Sequence, residues 1–135
     1  NTESLGVIGL MDEELFIDWV DIEWCWRAKK YGFKIIGNAD VVIQHCLGDS
    51  SKTIGFRDVN LRSPFRHYFI TRNAFHLSLR CESLDWRHKI TLFFRSFRYV
   101  LAFPIISKPR LKNLSMVLMG FWHGMIGKLG PLENK

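Results

Sequence analysis

Residues 12–32, DEELFIDWVDIEWCWRAKKYG, place six carboxylates within twelve positions: Asp12, Glu13, Glu14, Asp18, Asp21 and Glu23. The chain carries thirteen acids and a net charge of +6, so nearly half its acids crowd beside Trp19, Trp24 and Trp26. Acids among large rings suit proton abstraction or the holding of a cation, because partial desolvation tunes a carboxylate. Asp21 falls in the first turn of an expected helix, where the dipole stabilises a carboxylate. It has no basic residue four positions on, since that position is Cys25. A base and a simple cap are both open for Asp21. Glu23 stands four residues before Arg27, the favourable order for a helix ion pair. About 200° of helix rotation separates positions 21 and 23, so the two acids have different jobs.

The elements that must position these acids follow from spacing. Asp12 caps a short turn through DEELF, after an apolar approach or loop at 6–11. A helix is expected over 20–31, with Val20, Trp24, Ala28 and Tyr31 on one stripe and Gly32 as its stop. Residues 33–37 and 41–45 read as two short strands around a turn at 38–40. Residues 47–60, LGDSSKTIGFRDVN, read as a mobile loop. Three helices follow: 63–80 with Ser63 as cap and Pro64 in the first turn, 85–103 ending at Pro104, and 111–127. The reading divides the chain into an α/β region at 1–60 and a basic, helical region at 61–135.

Composition narrows the function. Hydrophobic content of 47% excludes disorder, and 135 residues bury one core. Residues 1–61 carry a net charge of −4 and residues 62–135 a net charge of +10. That polarity fits an acidic site beside a region that meets phosphate or anionic lipid. Three cysteines without C-x-x-C spacing fit neither a disulfide framework nor a four-cysteine zinc site, and suit a reducing compartment. Pairing His45 with Cys46 on zinc is disfavoured, because neighbouring strand residues face opposite sides. No recognisable nucleic-acid motif occurs, so nucleic acid is not an expected partner.

GLMDEELFIDWVDIEWCWRAKKYGFKI followed by VVIQHCLGDS resembles the second half of a family 2 glycosyltransferase of the GT-A fold, in particular bacterial rhamnosyltransferases of O-antigen and related surface polysaccharides. The matching positions are Gly9, Asp12, Glu13, Phe16, Asp18, Asp21, Glu23, Trp24, Cys25, Arg27, Ala28, Gly32, His45 and Gly48. RHYFITRN, from Arg66 to Asn73, is similar to a further family stretch, with Phe69 in place of a tyrosine. The resemblance covers residues 6–80. It implies an α/β, GT-A-like fold and an inverting transfer of sugar from a nucleotide-diphosphate donor to a saccharide or lipid-linked acceptor.

By the same resemblance, Asp21 is the catalytic base and His45 a ligand to a divalent cation, Mn²⁺ or Mg²⁺. A histidine hydrogen-bonded at a strand end is the alternative for His45. Glu23, Trp24, Gly48, Ser50, Arg66 and Arg72 are implied as substrate contacts. Arginine offers paired donors to phosphate oxygens, although exposure or an internal ion pair accounts equally for Arg66 and Arg72. Tyr68 is expected in the core. A D-x-D-like pair for the nucleotide does not occur, so the nucleotide-binding half is expected upstream of Asn1, and this chain alone is expected to be inactive.

The C-terminal helices point to a surface. Ile90, Phe93, Phe94, Phe97 and Leu101 form one stripe of the second helix, and Thr91, Arg95 and Arg98 another. That pattern suits either an anionic membrane surface or packing on the next helix. Residues 113–127 lack formal charge but are too short to span a bilayer. Gly120 and Gly124 permit a close helix approach. The resulting expectation is an enzyme peripheral to the inner face of a bacterial membrane. The competing reading is a non-enzymatic helical module that binds a membrane or a partner.

Overall fold

The computed structural model describes residues 2–42, 50–54 and 57–132. Helix α1 spans Thr2–Ile8, and Gly9 at φ +85° turns the chain out of it. A single 3₁₀ turn at Glu13–Leu15 is capped by Asp12, whose Oδ1 accepts from the Glu14 amide at 3.0 Å. Helix α2 runs Val20–Lys30 and stops at Gly32, φ +83°, where glycine alone avoids strain. Strands β1 (Ser50–Ile54) and β2 (Arg57–Leu61) pair antiparallel, Ser50 with Leu61 and Ile54 with Arg57. Helices α3 (Pro64–Arg80), α4 (Trp86–Ile106) and α5 (Arg110–Ile126) complete the chain.

This architecture corrects the expected α/β, GT-A-like class. The fold is helical, and its β-structure among the described residues is one isolated hairpin. Residues 33–37 form no strand, nor do 41 and 42; positions 43–45 lie outside the described residues. A lone strand leaves its N–H and C=O groups unpaired, and among the described residues no strand runs beside Ile35, Ile36 or Val42, which stand exposed. The hairpin instead falls where a loop was expected.

Helix α3 is the axis of the molecule. His67, Phe69, Arg72, Asn73 and Phe75 on it are fully buried. One core cluster joins Leu77 and Cys81 to Leu15, Leu92, Trp19 and Trp26. A second joins Phe75, Val100 and Val117, with Phe93 and Phe121 packed on it. Phe75 meets Phe93 and Phe121 edge-on, with ring centroids 5.2 and 4.7 Å away.

Helix α5 lies against α3 through two glycines. A Cβ at Gly120 would stand 2.5 Å from the Tyr68 carbonyl oxygen, and one at Gly124 2.5 Å from that of Arg72. Only glycine permits such an approach, as the four-residue spacing foretells. Tyr68 is buried as expected, its hydroxyl 2.7 Å from Nδ1 of His123 on α5.

Helix α4 runs past Pro104, where a stop was expected, and ends at Ile106. Proline removes one N–H and crowds the carbonyl four residues back. Here it sits in the last turn, and the Ser107 amide still reaches the Phe103 carbonyl at 3.0 Å.

Candidate functional site

The acidic segment folds back on itself through three non-glycine residues at positive φ: Phe16 (φ 62°), Asp18 (φ 60°) and Trp19 (φ 69°). Side chains at positive φ cost about 1–2 kcal/mol each, so other contacts must hold them there. Helix α3 does so. Asn73 Nδ2 donates to the carbonyls of Leu15, Ile17 and Asp18 at 2.9, 2.9 and 3.0 Å. Arg72 Nη2 donates to the Leu15 carbonyl at 2.9 Å, and its Nη1 donates to that of Gly130. Trp19 Nε1 reaches the Ile70 carbonyl at 3.1 Å. Turning the chain this way presents the Asp18 carboxylate to Arg66, with Oδ1 2.6 Å from Nη2, while Arg62 stands 3.6 Å away.

Beside this pair opens a cleft of about 520 Å³ between α2, α3 and α4. Trp19, Ile22 and Trp26 form one wall. Arg62, Arg95 and Tyr99 bring polar groups to the others. The two indoles are tilted, with centroids 6.1 Å apart. Behind the Tyr99 wall the hydroxyl lies 2.7 Å from Nδ1 of buried His67. Burial, then the charge of Arg62, lowers the pKa of His67; burial raises that of Tyr99. Both groups are therefore neutral at pH 7, and the cleft's charge comes from Asp18 and the arginines.

Asp21 is exposed in the first turn of α2, and its Oδ1 accepts from the Ile22 amide at 2.9 Å. No cationic side chain pairs with it among the described residues. Its neighbour Ile22 lines the cleft, whereas Asp21 itself is not one of the lining residues. Glu23 is buried and pairs with Arg27 at 2.9 Å, the helical ion pair its spacing foretells. Trp24 Nε1 donates to the Gly9 carbonyl at 2.9 Å, and Arg27 donates to the carbonyls of Ile8 and Leu10. These residues tie the segment after α1 to α2. Arg66 is engaged by Asp18, whereas Arg72 is sealed in the core with its Nε, Nη1 and Nη2 all donating within the protein.

His45 and Gly48 lie outside the described residues, and Ser50 opens β1. Among the described residues no three His, Cys, Asp or Glu side chains gather as metal ligands. The sequence reading missed Asp18 as the partner of Arg66, and it missed Arg62, Arg95 and Tyr99 as cleft residues. The single available signal was Asp18 among the matched acids, because its partners lie more than forty positions away.

No protein-family model matches the chain, and no solved structure matches it. A stretch of 75 residues, 56% of the chain, is 44% identical to the dTDP-rhamnosyl transferase RfbF of Shigella flexneri. The chain spans 25% of that relative's length.

Proposed function

We propose that the protein acts as a glycosyltransferase, moving a sugar from a dTDP-linked donor to a saccharide or lipid-linked acceptor in bacterial polysaccharide synthesis. The 44% identity to a dTDP-rhamnosyl transferase carries this reading and makes rhamnose the proposed sugar. In the proposed reaction an acceptor hydroxyl oxygen attacks the anomeric carbon as its proton passes to the Asp21 carboxylate. The bond from that carbon to the diphosphate oxygen breaks, and the nucleoside diphosphate leaves with the electron pair. The exposure of Asp21, without a competing cation among the described residues, supports it as the base. The cleft beside Asp18 suits a sugar-bearing substrate, with Trp19 and Trp26 offering apolar faces and Arg62 and Arg95 offering cationic donors to phosphate oxygens. A divalent cation held through His45 belongs to the same proposal, as does action at the inner face of the cell membrane.

The test is dTDP release by the intact protein from dTDP-rhamnose, with a saccharide acceptor. Asp21→Asn is expected to lower the rate by about 10²–10⁴-fold, the usual worth of a positioned base, with the circular dichroism spectrum unchanged. Turnover by Asp21→Asn equal to the parent's would remove Asp21 from the chemistry. Absence of dTDP release by the parent, with any saccharide acceptor tried, would remove the donor class.

A further inference from the structure

Helices α4 and α5 are joined by only three residues, Ser107, Lys108 and Pro109, and so pack as antiparallel neighbours. Each carries a second apolar stripe besides the one it buries. On α4 this stripe includes Phe94, Leu101 and Ile105; on α5 it includes Leu111, Leu118 and Trp122, with Phe94 63% and Trp122 61% exposed. The buried side chains fix where the stripes point. Phe93 on α4 and Phe121 on α5 pack on the same cluster, so each helix lies on the flank of the other that bears its exposed stripe. The two stripes therefore merge into one apolar face along the hairpin. Arg95 points away from this face and into the cleft.

Charge decides what covers this face. Residues 86–132 contain eight lysines and arginines and no aspartate or glutamate. Arg98 on α4 and Lys112 on α5 stand exposed at the outer edges of the face, and Lys108 and Arg110 stand exposed at the hairpin turn. A second copy docked here would bring two acid-free cationic rims together. An apolar face inside a rim of cations matches a bilayer whose surface is anionic and whose interior is apolar. Among the described residues no helix is long and apolar enough to cross a membrane.

We propose that the α4–α5 hairpin lies in the plane of an anionic lipid surface, with its merged stripes in the acyl boundary and its cationic rim at the headgroups. The proposal deepens the membrane site of action in the proposed function, and because it is argued from these two helices, loss of vesicle binding and loss of dTDP release are separate outcomes.

The experiment is co-sedimentation of the intact protein with vesicles of phosphatidylcholine alone or with added phosphatidylglycerol. Binding is expected with the anionic vesicles, falling as salt rises. Arg98→Glu and Lys112→Glu are each expected to weaken it about fivefold or more, the worth of one cation at such a surface. Bilayers with brominated acyl chains are expected to quench Trp122, and quenching reads insertion in the unmodified protein. Leu118→Glu, at an exposed position, is expected to abolish that quenching with the helical spectrum retained. Equal binding to both vesicle types, or binding indifferent to Leu118→Glu, would overturn the proposal. A dimer in sedimentation equilibrium that Phe94→Glu dissociates, with no vesicle binding, would overturn it in favour of a second copy.

Discussion

Nη2 of Arg66 lies 2.6 Å from Oδ1 of Asp18, closing a charged contact between the turn before α2 and the first turn of α3. Asp18 holds left-handed backbone, so the pair also fixes a strained turn. Both side chains are partly exposed, which limits the pair's worth. Asp18→Asn is expected to cost about 1–2 kcal/mol in urea unfolding. A double-mutant cycle with Arg66→Gln is expected to give a coupling of about 1 kcal/mol; additivity would show the contact to be idle.

Asn73 donates to three carbonyls of that same turn. Asn73→Ala leaves them buried without that donor, and a loss of about 2–4 kcal/mol is expected. Amide hydrogen exchange in residues 15–19 is expected to accelerate more than in α5. Uniform acceleration would mean that Asn73 supports the whole core equally.

The glycines offer an internal comparison. At Gly120 a methyl group meets the Tyr68 carbonyl, so Gly120→Ala is expected to destabilise by about 1–3 kcal/mol, as overpacking does. Gly6, inside α1, has nothing within 4 Å of its added Cβ. Gly6→Ala is expected to be neutral or to stabilise by about 0.5–1 kcal/mol. Thermal midpoints that move in the same direction for both variants would contradict the packing of α5 on α3.

Buried histidines set a direction for pH. Burial, then the Arg62 charge, holds the pKa of His67 below its ordinary 6.5, and burial also lowers those of His76 and His123. Below pH 6.5 the unfolded chain takes up protons that the folded histidines resist, so stability is lost as pH falls. Above that value both states hold neutral imidazoles, and this contribution is flat. Unfolding midpoints from about pH 8 to about pH 5 are expected to decline at the acid end, with a shallower decline in His67→Gln.

Local signals were legible in the sequence. Gly32 and Gly127 end their helices, Pro64 begins one, Glu23 finds Arg27 four residues on, and Gly120 with Gly124 marks a close approach. Each depends on neighbours within a turn or two of helix. The expected α/β class failed because apolar runs such as 33–37 acquire a strand's geometry only beside a partner strand. The site was less legible still. Asp18 meets Arg66 across 48 positions, and three non-glycine residues take a positive φ that their own types disfavour. Arg72 and Asn73 supply the reason from a distant helix, so the reason lies in tertiary contacts. The same burial makes Arg72 a clamp on the acidic turn, whereas spacing alone left it equally open to a diphosphate.

The missing side chains at Gly120 and Gly124 bear on more than packing. Through them α5 rests on the main chain of α3, and Arg72, whose carbonyl Gly124 touches, also grips the carbonyl of Leu15. Along this contact the two helices meet main chain to main chain, with no side chain of α5 between them. Nothing there can repack, so any shift of α5 has to carry the Tyr68–Arg72 stretch of α3, and with it the grip on the acidic turn.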